Sequence, residues 1–488
     1  MRFETFVPIV LANLASAACA SNNVSALFAG HLSPDAGIYY PSDADYAQEI
    51  TQRHTLFDDP SYYAAIKPAT VEDVQNIVKI ANEHNISYLA TGGAHGANIG
   101  FAKVRNAIDI DLGNFNFTTL DTDTNLLTVG AANSFSDFFD LLYNAGKEIQ
   151  TGNAPCVNMI GATVGAGVGP LQGLHGLIID ALRSVVIVTA SGDALNASST
   201  ENPDLFWAIR GAGANFGIIT QATYEVHDAT NNGQLINADF AFSGAANGSL
   251  WELLNSWDSD EVYPKEMGMS IIAGFNHTSG LATISANVAF FGPYEAAKPY
   301  LDQLVAVGPL LWQNESVGWN VVTNIAGFGN AKNACIRGSY NNHFMVGVKQ
   351  TDVAAYTSFF NDFAAWNLDR PWFGGSLVFQ RYNAAAAQAL PESERGAYPW
   401  RDIGTLIAFD NVYDNSSHDD EVNAFFIPER EKLYAASGFD SPHIYLNYGY
   451  GDEGPEAWYG PSLPRLISLK QQWDPQGKFG PANPVPLS

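Results

Sequence analysis

The chain has 488 residues, of which 47% are hydrophobic and 15% are charged, so it can bury large cores and falls outside the disordered, collagen-like and coiled-coil classes. At roughly one domain per 150 residues, this length predicts two or three lobes. The formal net charge of −27 repels phosphate backbones and anionic lipids, so we expect neither nucleic acid nor a membrane as a partner.

The first twenty residues predict a signal peptide. Arg2 supplies a basic start, residues 6–18 are mostly apolar, and residues 18–20 (Ala-Cys-Ala) are small enough for cleavage. A membrane anchor is the alternative, but the apolar run is shorter than the ~20 residues that a span needs. Cleavage would remove Cys19 and leave Cys156 and Cys335, which permit at most one disulfide.

N-glycosylation triplets agree with secretion. They begin at Asn23, Asn85, Asn116, Asn196, Asn247, Asn276, Asn314 and Asn415. We therefore expect a secreted glycoprotein.

The first clear element is a helix that begins after Thr70. Thr70 is a plausible N-cap, Asp73 follows three residues later, and apolar residues recur at helical spacing as far as Ala81. Strands are predicted at residues 86–90, 107–112, 126–129, 185–188 and 281–288, with a helix at 204–210. The pattern indicates an α+β protein with a boundary near residues 228–233.

Three glycine-dense stretches, at residues 91–96, 161–169 and 211–217, are predicted as bare loops. Taken singly, each is explained by a tight turn; together they favour main-chain amides that bind a diphosphate. The chain contains no P-loop, no HExxH zinc motif and no GxSxG elbow. Residues 449–454 match a dinucleotide pattern, but acidic residues and Pro455 follow where a helix should begin.

Several segments then resemble one known family. Residues 91–96 (Thr-Gly-Gly-Ala-His-Gly) are similar to the Arg-Ser-Gly-Gly-His-Ser segment of the vanillyl-alcohol-oxidase superfamily, in its berberine-bridge-enzyme-like branch. Residues 151–169 resemble the second flavin loop of that branch, and residues 202–220 match its most diagnostic stretch. Residues 445–475 look like its C-terminal segment. The resemblance covers essentially the whole mature chain.

The resemblance implies a two-lobed, discontinuous PCMH-type FAD-binding domain and a substrate domain with an antiparallel sheet covered by helices. The implied divisions are a signal peptide (1–20), an N-terminal extension (21–59), the FAD-binding domain (60–228), the substrate domain (229–440) and a C-terminal segment that returns to the FAD domain (441–488).

The resemblance also implies FAD joined covalently through its 8α-methyl group to His95. The other cofactor-binding residues that it implies are Thr91, Gly92, Gly93, Ala94, Gly96, Val157, Gly161, Ala162, Thr163, Gly165, Gly167, Gly217 and Ile219. Many relatives add a link from a cysteine at the position of Ala154, whereas Cys156 lies two residues later, roughly 6–7 Å along an extended loop. We therefore expect a single link; Cys156 pairs with Cys335, is free, or attaches flavin.

Candidate catalytic residues are Tyr445, Asn447, Tyr448 and Asp410. On a strand, Tyr445 and Asn447 would share one face and Tyr448 would point away, so a bulge would be needed for both tyrosines to face the flavin. A tyrosine that accepts a proton needs a lowered pKa or a partner base, and Asp410 is the candidate partner.

The leading hypothesis is a monomeric, secreted FAD-dependent oxidase that uses O₂ and acts on a hydroxyl- or amine-bearing small molecule, typical of fungal natural-product oxidation. Val157, at a position where relatives with a small residue admit oxygen, favours an oxidase. Ala97 and Ala162 argue against an isoquinoline substrate. The alternatives are an oxidase of sugar lactols, a redox-neutral cyclase that retains flavin, and a glycosidase or carbohydrate-binding protein without redox chemistry.

Overall fold

The computed structural model describes residues 24–259 and 261–488. The predicted signal peptide, Cys19 and the triplet at Asn23 lie outside the described residues. Within the described ranges, no helix combines the length and the apolar character that crossing a bilayer requires.

The first sheet has four strands and contains the start of the expected FAD-binding region. Its spatial order is β1 (Gly37–Tyr39), β2 (Tyr62–Lys67), β4 (Ala107–Asp111) and β3 (Tyr88–Thr91), with β2, β4 and β3 parallel. The predicted helix is confirmed as α2 (Val71–Glu83): Thr70 and Asp73 form a reciprocal capping box, which satisfies N–H groups at the start of the helix. The apolar stripe of α2 is buried.

The strand predicted at residues 107–112 is confirmed as β4, and all five residues of β4 are buried. Thr91 donates a hydrogen bond to Asp109 across 2.6 Å, and burial raises the pKa of Asp109 to about 7. The main-chain N–H of Thr51 donates to Asp111 across 2.5 Å. The N-terminal extension thus covers the polar side of the strand.

The second sheet has five antiparallel strands. Its order is β5 (Thr118–Asp121), β6 (Leu126–Gly130), β10 (Ile218–Glu225), β8 (Leu182–Val188) and β9 (Ala194–Ser198). The predicted strands at 126–129 and 185–188 are confirmed within β6 and β8. A two-stranded ribbon, β7 (Lys147–Glu148) with β11 (His227–Asp228), lies where the chain leaves this region.

The third sheet has seven antiparallel strands. Its order is β15 (Leu311–Gly318), β12 (Gln234–Ser243), β14 (Leu281–Phe290), β13 (Met267–Asn276), β17 (Ser376–Tyr382), β18 (Thr405–Tyr413) and β16 (Tyr340–Val348). One face packs against four helices around a separate apolar core that includes Phe344, Phe379 and Phe409. Because neighbouring residues on a strand point to opposite faces, His343, Gln380 and Asp410 lie on the other face.

The helices are α1 (Tyr46–Glu49), α2, α3 (Ser136–Asn144), α4 (Met159–Val164), α5 (Gln172–His175), α6 (Ile178–Ala181), α7 (Pro203–Ala212), α8 (Asn247–Ser256), α9 (Tyr294–Ala306), α10 (Val322–Ile325), α11 (Val353–Asn367), α12 (Ala385–Ala389), α13 (Asp419–Ala435), α14 (Pro455–Tyr459) and α15 (Leu463–Trp473). The four that cover the seven-stranded third sheet, called the large sheet below, are α8, α9, α11 and α13. The architecture is α+β, with an antiparallel sheet covered by helices, as the sequence predicts.

Candidate active site

The first glycine-dense stretch forms a loop after β3, as predicted, and packs closely on Ala131, Asn158 and Phe101. A Cβ atom on Gly92 would lie 2.9 Å from the carbonyl oxygen of Ala131, and one on Gly93 would lie 2.5 Å from Cβ of Asn158. A Cβ on Gly96 would lie 2.6 Å from the ring of Phe101. Only glycine permits these approaches, so the first stretch packs this closely on its neighbours because it carries no side chains at these three positions.

The carbonyl groups of this loop are bound by the protein. Arg337 donates to Gly93, the main-chain N–H of His54 donates to Ala94 across 3.0 Å, and Arg53 donates to Gly96. Within the described part of the chain, the N–H groups of residues 92–97 donate to no protein acceptor. Free amides in one loop suit a phosphate or the edge of a polar ring, so the donor set fits the expected cofactor.

His95 is half-buried in this loop, and its Nε2 atom is buried without a hydrogen-bond partner among the described residues. Burial, together with the nearby His54 and Arg337, lowers the pKa of His95 to about 3. The imidazole is therefore neutral at ordinary pH. A neutral ring with an unpartnered nitrogen is what a covalent link to a cofactor requires.

Thr91 ends β3 with its hydroxyl bound to Asp109, so its side chain does not point into the loop. Sequence reasoning assigned it to cofactor binding; the structure shows only that it anchors the loop.

A disulfide joins Cys156 to Cys335, with an S–S distance of 2.06 Å. This resolves the alternatives left open by the sequence: Cys156 pairs with Cys335 and does not attach flavin. Val157 is half-buried beside the disulfide, and its carbonyl accepts a hydrogen bond from the N–H of Phe135.

The second stretch is not the continuous bare loop that its composition predicts. Residues 159–164 form α4, because the side chain of Asn158 accepts a hydrogen bond from the N–H of Gly161 and caps the helix. Thr163 bonds to Tyr224 in the interior, at 2.8 Å, and therefore points away from the expected cofactor. Gly167 has a positive φ of 77° and packs on Ile178.

The third stretch likewise begins inside α7, which extends to Ala212. A Cβ on Gly217 would lie 2.5 Å from the carbonyl oxygen of Val188, and Ile219 is buried on β10. The structure therefore gives Gly217 and Ile219 a packing role between β8 and β10. A flavin contact at these two residues stays a prediction.

Asn447 and Tyr448 lie in a 3₁₀ turn at Leu446–Tyr448, and Tyr445 is the residue before it, so the three do not share the strand that the sequence suggested. The turn brings the rings of Tyr445 and Tyr448 together edge to face, with centroids 5.0 Å apart. The turn places both tyrosines on one side without the bulge that a strand would need.

The hydroxyl of Tyr445 is occupied by structural bonds. It accepts hydrogen bonds from Nδ2 of Asn447, at 2.8 Å, and from the N–H of Val168, at 3.4 Å. The same Nδ2 donates to the carbonyl of Ala162 across 2.8 Å, and a Cβ on Gly165 would collide with Asn447. Tyr445 and Asn447 thus fasten the C-terminal segment to the second flavin loop.

Tyr448 is half-buried and faces the polar surface of the large sheet. Its hydroxyl interacts with Gln380, and burial together with the nearby Asp410 raises its pKa. Nε2 of His343 lies 3.5 Å from Oδ1 of Asp410, and Nδ2 of Asn341 lies 3.0 Å from that nitrogen and 3.4 Å from that oxygen. The lowered tyrosine pKa that sequence reasoning sought is absent from both tyrosines, since burial raises that of Tyr445 as well.

Sequence reasoning missed His54, Asn341, His343 and Gln380. The last three all lie on strands that were not predicted, β16 and β17. His343 and Gln380 each lie next to a buried phenylalanine, so a period of two was the available signal for these two residues. His54 follows Arg53 in an irregular segment, and no local pattern identifies it.

In the dinucleotide-like stretch at residues 449–454, two main-chain amides are occupied by a carboxylate of the same stretch. The N–H groups of Tyr450 and Gly451 donate to the carboxylate of Glu453, at 2.8 and 3.0 Å. A helix does begin at Pro455, but α14 has only five residues.

Two family models match the chain. The FAD binding domain matches residues 63–198, and the berberine and berberine-like domain matches residues 444–486. These ranges include the His95 loop and the Tyr445–Tyr448 turn.

Curated relatives match nearly the whole chain. The FAD-linked oxidoreductase tazL of Aspergillus terreus is 53% identical over 495 residues, with all of both chains covered. The FAD-linked oxidoreductase azaL of Aspergillus niger is 44% identical, covering 96% of this chain and 100% of its own.

Solved structures show the same fold. BBE-like 1 of Physcomitrella patens has a TM-score of 0.82 at 22% identity and covers 95% of this chain and 99% of its own. The xylooligosaccharide oxidase of Myceliophthora thermophila has a TM-score of 0.80 at 22% identity, covering 95% and 98%.

These domain matches and sequence identities exclude the alternative of a glycosidase or carbohydrate-binding protein without redox chemistry. The chain belongs to the berberine-bridge-enzyme-like family of the vanillyl-alcohol-oxidase superfamily and is an FAD-dependent oxidoreductase.

Proposed function

We propose that this protein is a secreted FAD-dependent oxidase that removes a hydride from a hydroxyl- or amine-bearing small molecule and passes the electrons to O₂. The observation that carries the proposal is that the segment beside the His95 loop contacts the large sheet. The hydroxyl of Thr55, the residue after His54, donates to the carbonyl of Asn341 on β16 across 2.7 Å. His343, on the polar face of the same strand, lowers the pKa values of both His54 and His95. A cofactor held by the His95 loop would therefore lie beneath Asp410 and Tyr448.

FAD, when bound, supplies the two-electron acceptor at its isoalloxazine ring. The residues that would hold it are the free amides of residues 92–97 and the unpartnered Nε2 side of His95. We propose one covalent link, through His95, because Cys156 is bonded to Cys335.

Tyr448 and Asp410 would remove the substrate proton together. Because its pKa is raised, the hydroxyl of Tyr448 is protonated at neutral pH and cannot act as a base alone. It can accept a proton from the substrate only while it passes its own proton onward, and Asp410 is the nearby carboxylate that raises its pKa. Asn341 and His343 hold Asp410 from the neighbouring strand.

The substrate class is a small polar metabolite. Gln380, Asn341 and His343 offer hydrogen-bond partners around Tyr448. A lactol oxidase is the second candidate, since several proteins of this fold are oligosaccharide oxidases by name. The flavin-facing positions of β13, β16, β17 and β18 contain no tryptophan on which a sugar ring could stack.

Secretion is supported by the disulfide and by the acceptor asparagines. Disulfides persist in oxidising compartments. Asn85, Asn116, Asn196, Asn276, Asn314 and Asn415 are all exposed. Protein expressed with its first twenty residues should be recovered from the medium and lose mass on treatment with an N-glycosidase.

The oxidase proposal is tested by mixing the purified protein with alcohols, amines and sugars and recording both flavin bleaching without air and peroxide release with air. We expect Tyr448→Phe to slow bleaching by about 10²- to 10⁴-fold. Tyr294→Phe, a change at an exposed position on α9, is the matched control. Bleaching by sugars alone would favour the lactol oxidase, and conversion without bleaching or peroxide would favour a redox-neutral reaction.

A further inference from the structure

His54 lies directly against His95. The two imidazole rings are stacked, with centroids 4.5 Å apart and planes inclined by 22°. The main-chain N–H of His54 donates to Ala94, next to His95, and its carbonyl accepts a hydrogen bond from Gly338 across 3.0 Å. The main chain of His54 is therefore fixed from two sides, by the flavin loop and by the segment that follows Cys335, and this places its ring against His95.

The stack provides most of what orients the ring of His95. Nε2 of His95 has no hydrogen-bond partner among the described residues, and its polar contact is a backbone hydrogen bond with Cys156. Nδ1 of His54 is likewise buried without a partner. A ring with so few polar contacts is free to tilt unless a neighbouring surface stops it, and the face of His54 is that surface.

The surroundings also keep both rings neutral. Burial is the main cause that lowers the pKa of His54 to about 4 and that of His95 to about 3. Arg53 and Arg337, from the two segments packed on the loop, act in the same direction on His54, as does His343 on β16; Asp410 on β18 opposes them. The lone pair of His95 is thus available for bond formation.

Attachment forms a bond between an imidazole nitrogen and the 8α carbon of the flavin and breaks one C–H and one N–H bond. The two electrons and two protons released pass to the isoalloxazine ring and then to O₂, which leaves as H₂O₂. Such a step requires the nitrogen to lie at bonding distance and angle from the methyl carbon, and a displacement of about 1 Å can slow a reaction by about 10²-fold.

We propose that His54 is a positioning residue for this attachment, which holds the imidazole plane of His95 against the 8α-methyl group through ring stacking. The proposal rests on the His95 link of the proposed function. It assigns His54 no contact with the substrate.

The test compares two changes that separate the ring face from the ring nitrogens. In His54→Ala the stack is lost, and we expect attachment about 10²-fold slower, with flavin bound but released by acid. In His54→Phe the stack remains without nitrogens, and we expect the flavin to stay linked. Total flavin is measured by absorbance. The linked flavin is the fraction that stays with the protein after acid denaturation, and it is measured both in fresh protein and over time during incubation with added FAD in air.

The matched control is His227→Phe, because His227 forms a second stacked pair with His175, with centroids 4.0 Å apart. This exchange should leave the flavin linked. Full linkage at the wild-type rate in His54→Ala would overturn the proposal. If His54→Phe attaches flavin as slowly as His54→Ala does, the proposal is overturned and a nitrogen of His54 acts as a proton acceptor. If His54→Ala contains no bound flavin at all, the proposal is overturned and His54 serves in cofactor binding.

The mass of the wild-type peptide that contains His95 distinguishes this failure from failure of the proposed link. An unmodified peptide in active wild-type protein contradicts the link itself. A modified wild-type peptide with an unaffected His54→Ala variant contradicts only the positioning role.

Discussion

Two pairs of stacked histidines in this molecule have similar ring geometry and opposite surroundings. His54 and His95 lie beside Arg53 and Arg337, and each has a buried nitrogen without a partner among the described residues. His175 and His227 lie where the ribbon β7–β11 leads from the FAD-binding region to the large sheet.

In the second pair, His175 is bound to a carboxylate. Glu148 is fully buried; its Oε1 lies 2.7 Å from Nε2 of His175 and 2.6 Å from Oγ1 of Thr230, and its Oε2 accepts from the N–H of Thr230 at 3.0 Å. A carboxylate satisfies one histidine pair and fixes the connection between lobes. The other pair lacks such a partner and keeps Nε2 of His95 free for a cofactor, so the neighbours of the two stacks, rather than their ring geometry, distinguish the roles of the two pairs.

The largest expected effect concerns the disulfide, which ties to Cys156 the segment whose Gly338 donates to the carbonyl of His54. It closes a loop with a sequence separation of 179 residues, and Arg337, two residues after Cys335, holds Gly93. Replacing both cysteines by serine should lower the free energy of unfolding by about 2–4 kcal/mol, measured by urea denaturation.

The same variant should also attach flavin more slowly, because the segment that supports His54 is no longer tied to Cys156. The contribution of His227 to the pH dependence of the unfolding free energy should not change in this variant. Equal loss at both histidine pairs would contradict the view that they are independent.

A smaller effect is expected at Glu148. Glu148→Gln keeps the shape but places an amide donor against the donors of His175 and Thr230, so we expect a loss of about 1–3 kcal/mol in unfolding free energy. Asp228→Asn is the control: its side chain is 91% exposed in an ion pair with Lys147, and such pairs contribute about 0–1 kcal/mol. Flavin attachment should be normal in both variants. Slower attachment in Glu148→Gln alone would show that the two histidine pairs are coupled.

Features that depend on residues close together in the sequence were predictable. The capping box at Thr70 follows from Thr and Asp at the right spacing, and the position of His95 follows from its glycine neighbours and the family resemblance. Helix α4 was missed because glycine-rich composition indicates a loop, whereas the cap from Asn158 outweighs it.

Features that join distant segments were not predictable. Two cysteines permit a disulfide without requiring it, and only the fold brings Cys156 to Cys335. The turn at Tyr445–Tyr448 is too short for its period to be read, since four residues fit either a strand or a turn. His54 reaches His95 because the N-terminal extension crosses the FAD-binding region, which no local pattern indicates.

The smallest effect is a pH dependence that belongs to the second pair. Burial, with His175 beside it, lowers the pKa of His227 to about 4, so the folded protein keeps this ring neutral where an unfolded chain, with a pKa near 6.5, binds a proton. The unfolded state therefore binds more protons between about pH 6.5 and 4, and stability should fall as the pH falls through that window.

His227→Phe should remove a part of this fall on the order of 1 kcal/mol between pH 7.5 and 5, because the ring is half-buried and solvent screens the effect. Unfolding midpoints in urea at the two pH values measure it, with His84→Phe, at an exposed residue after α2, as the control. His54 has the same sign of shift, so part of the fall should remain in His227→Phe. A variant as acid-sensitive as the wild type would mean that the stacked pair beside Glu148 does not titrate on unfolding, and the contrast between the two pairs would then rest on hydrogen bonding alone.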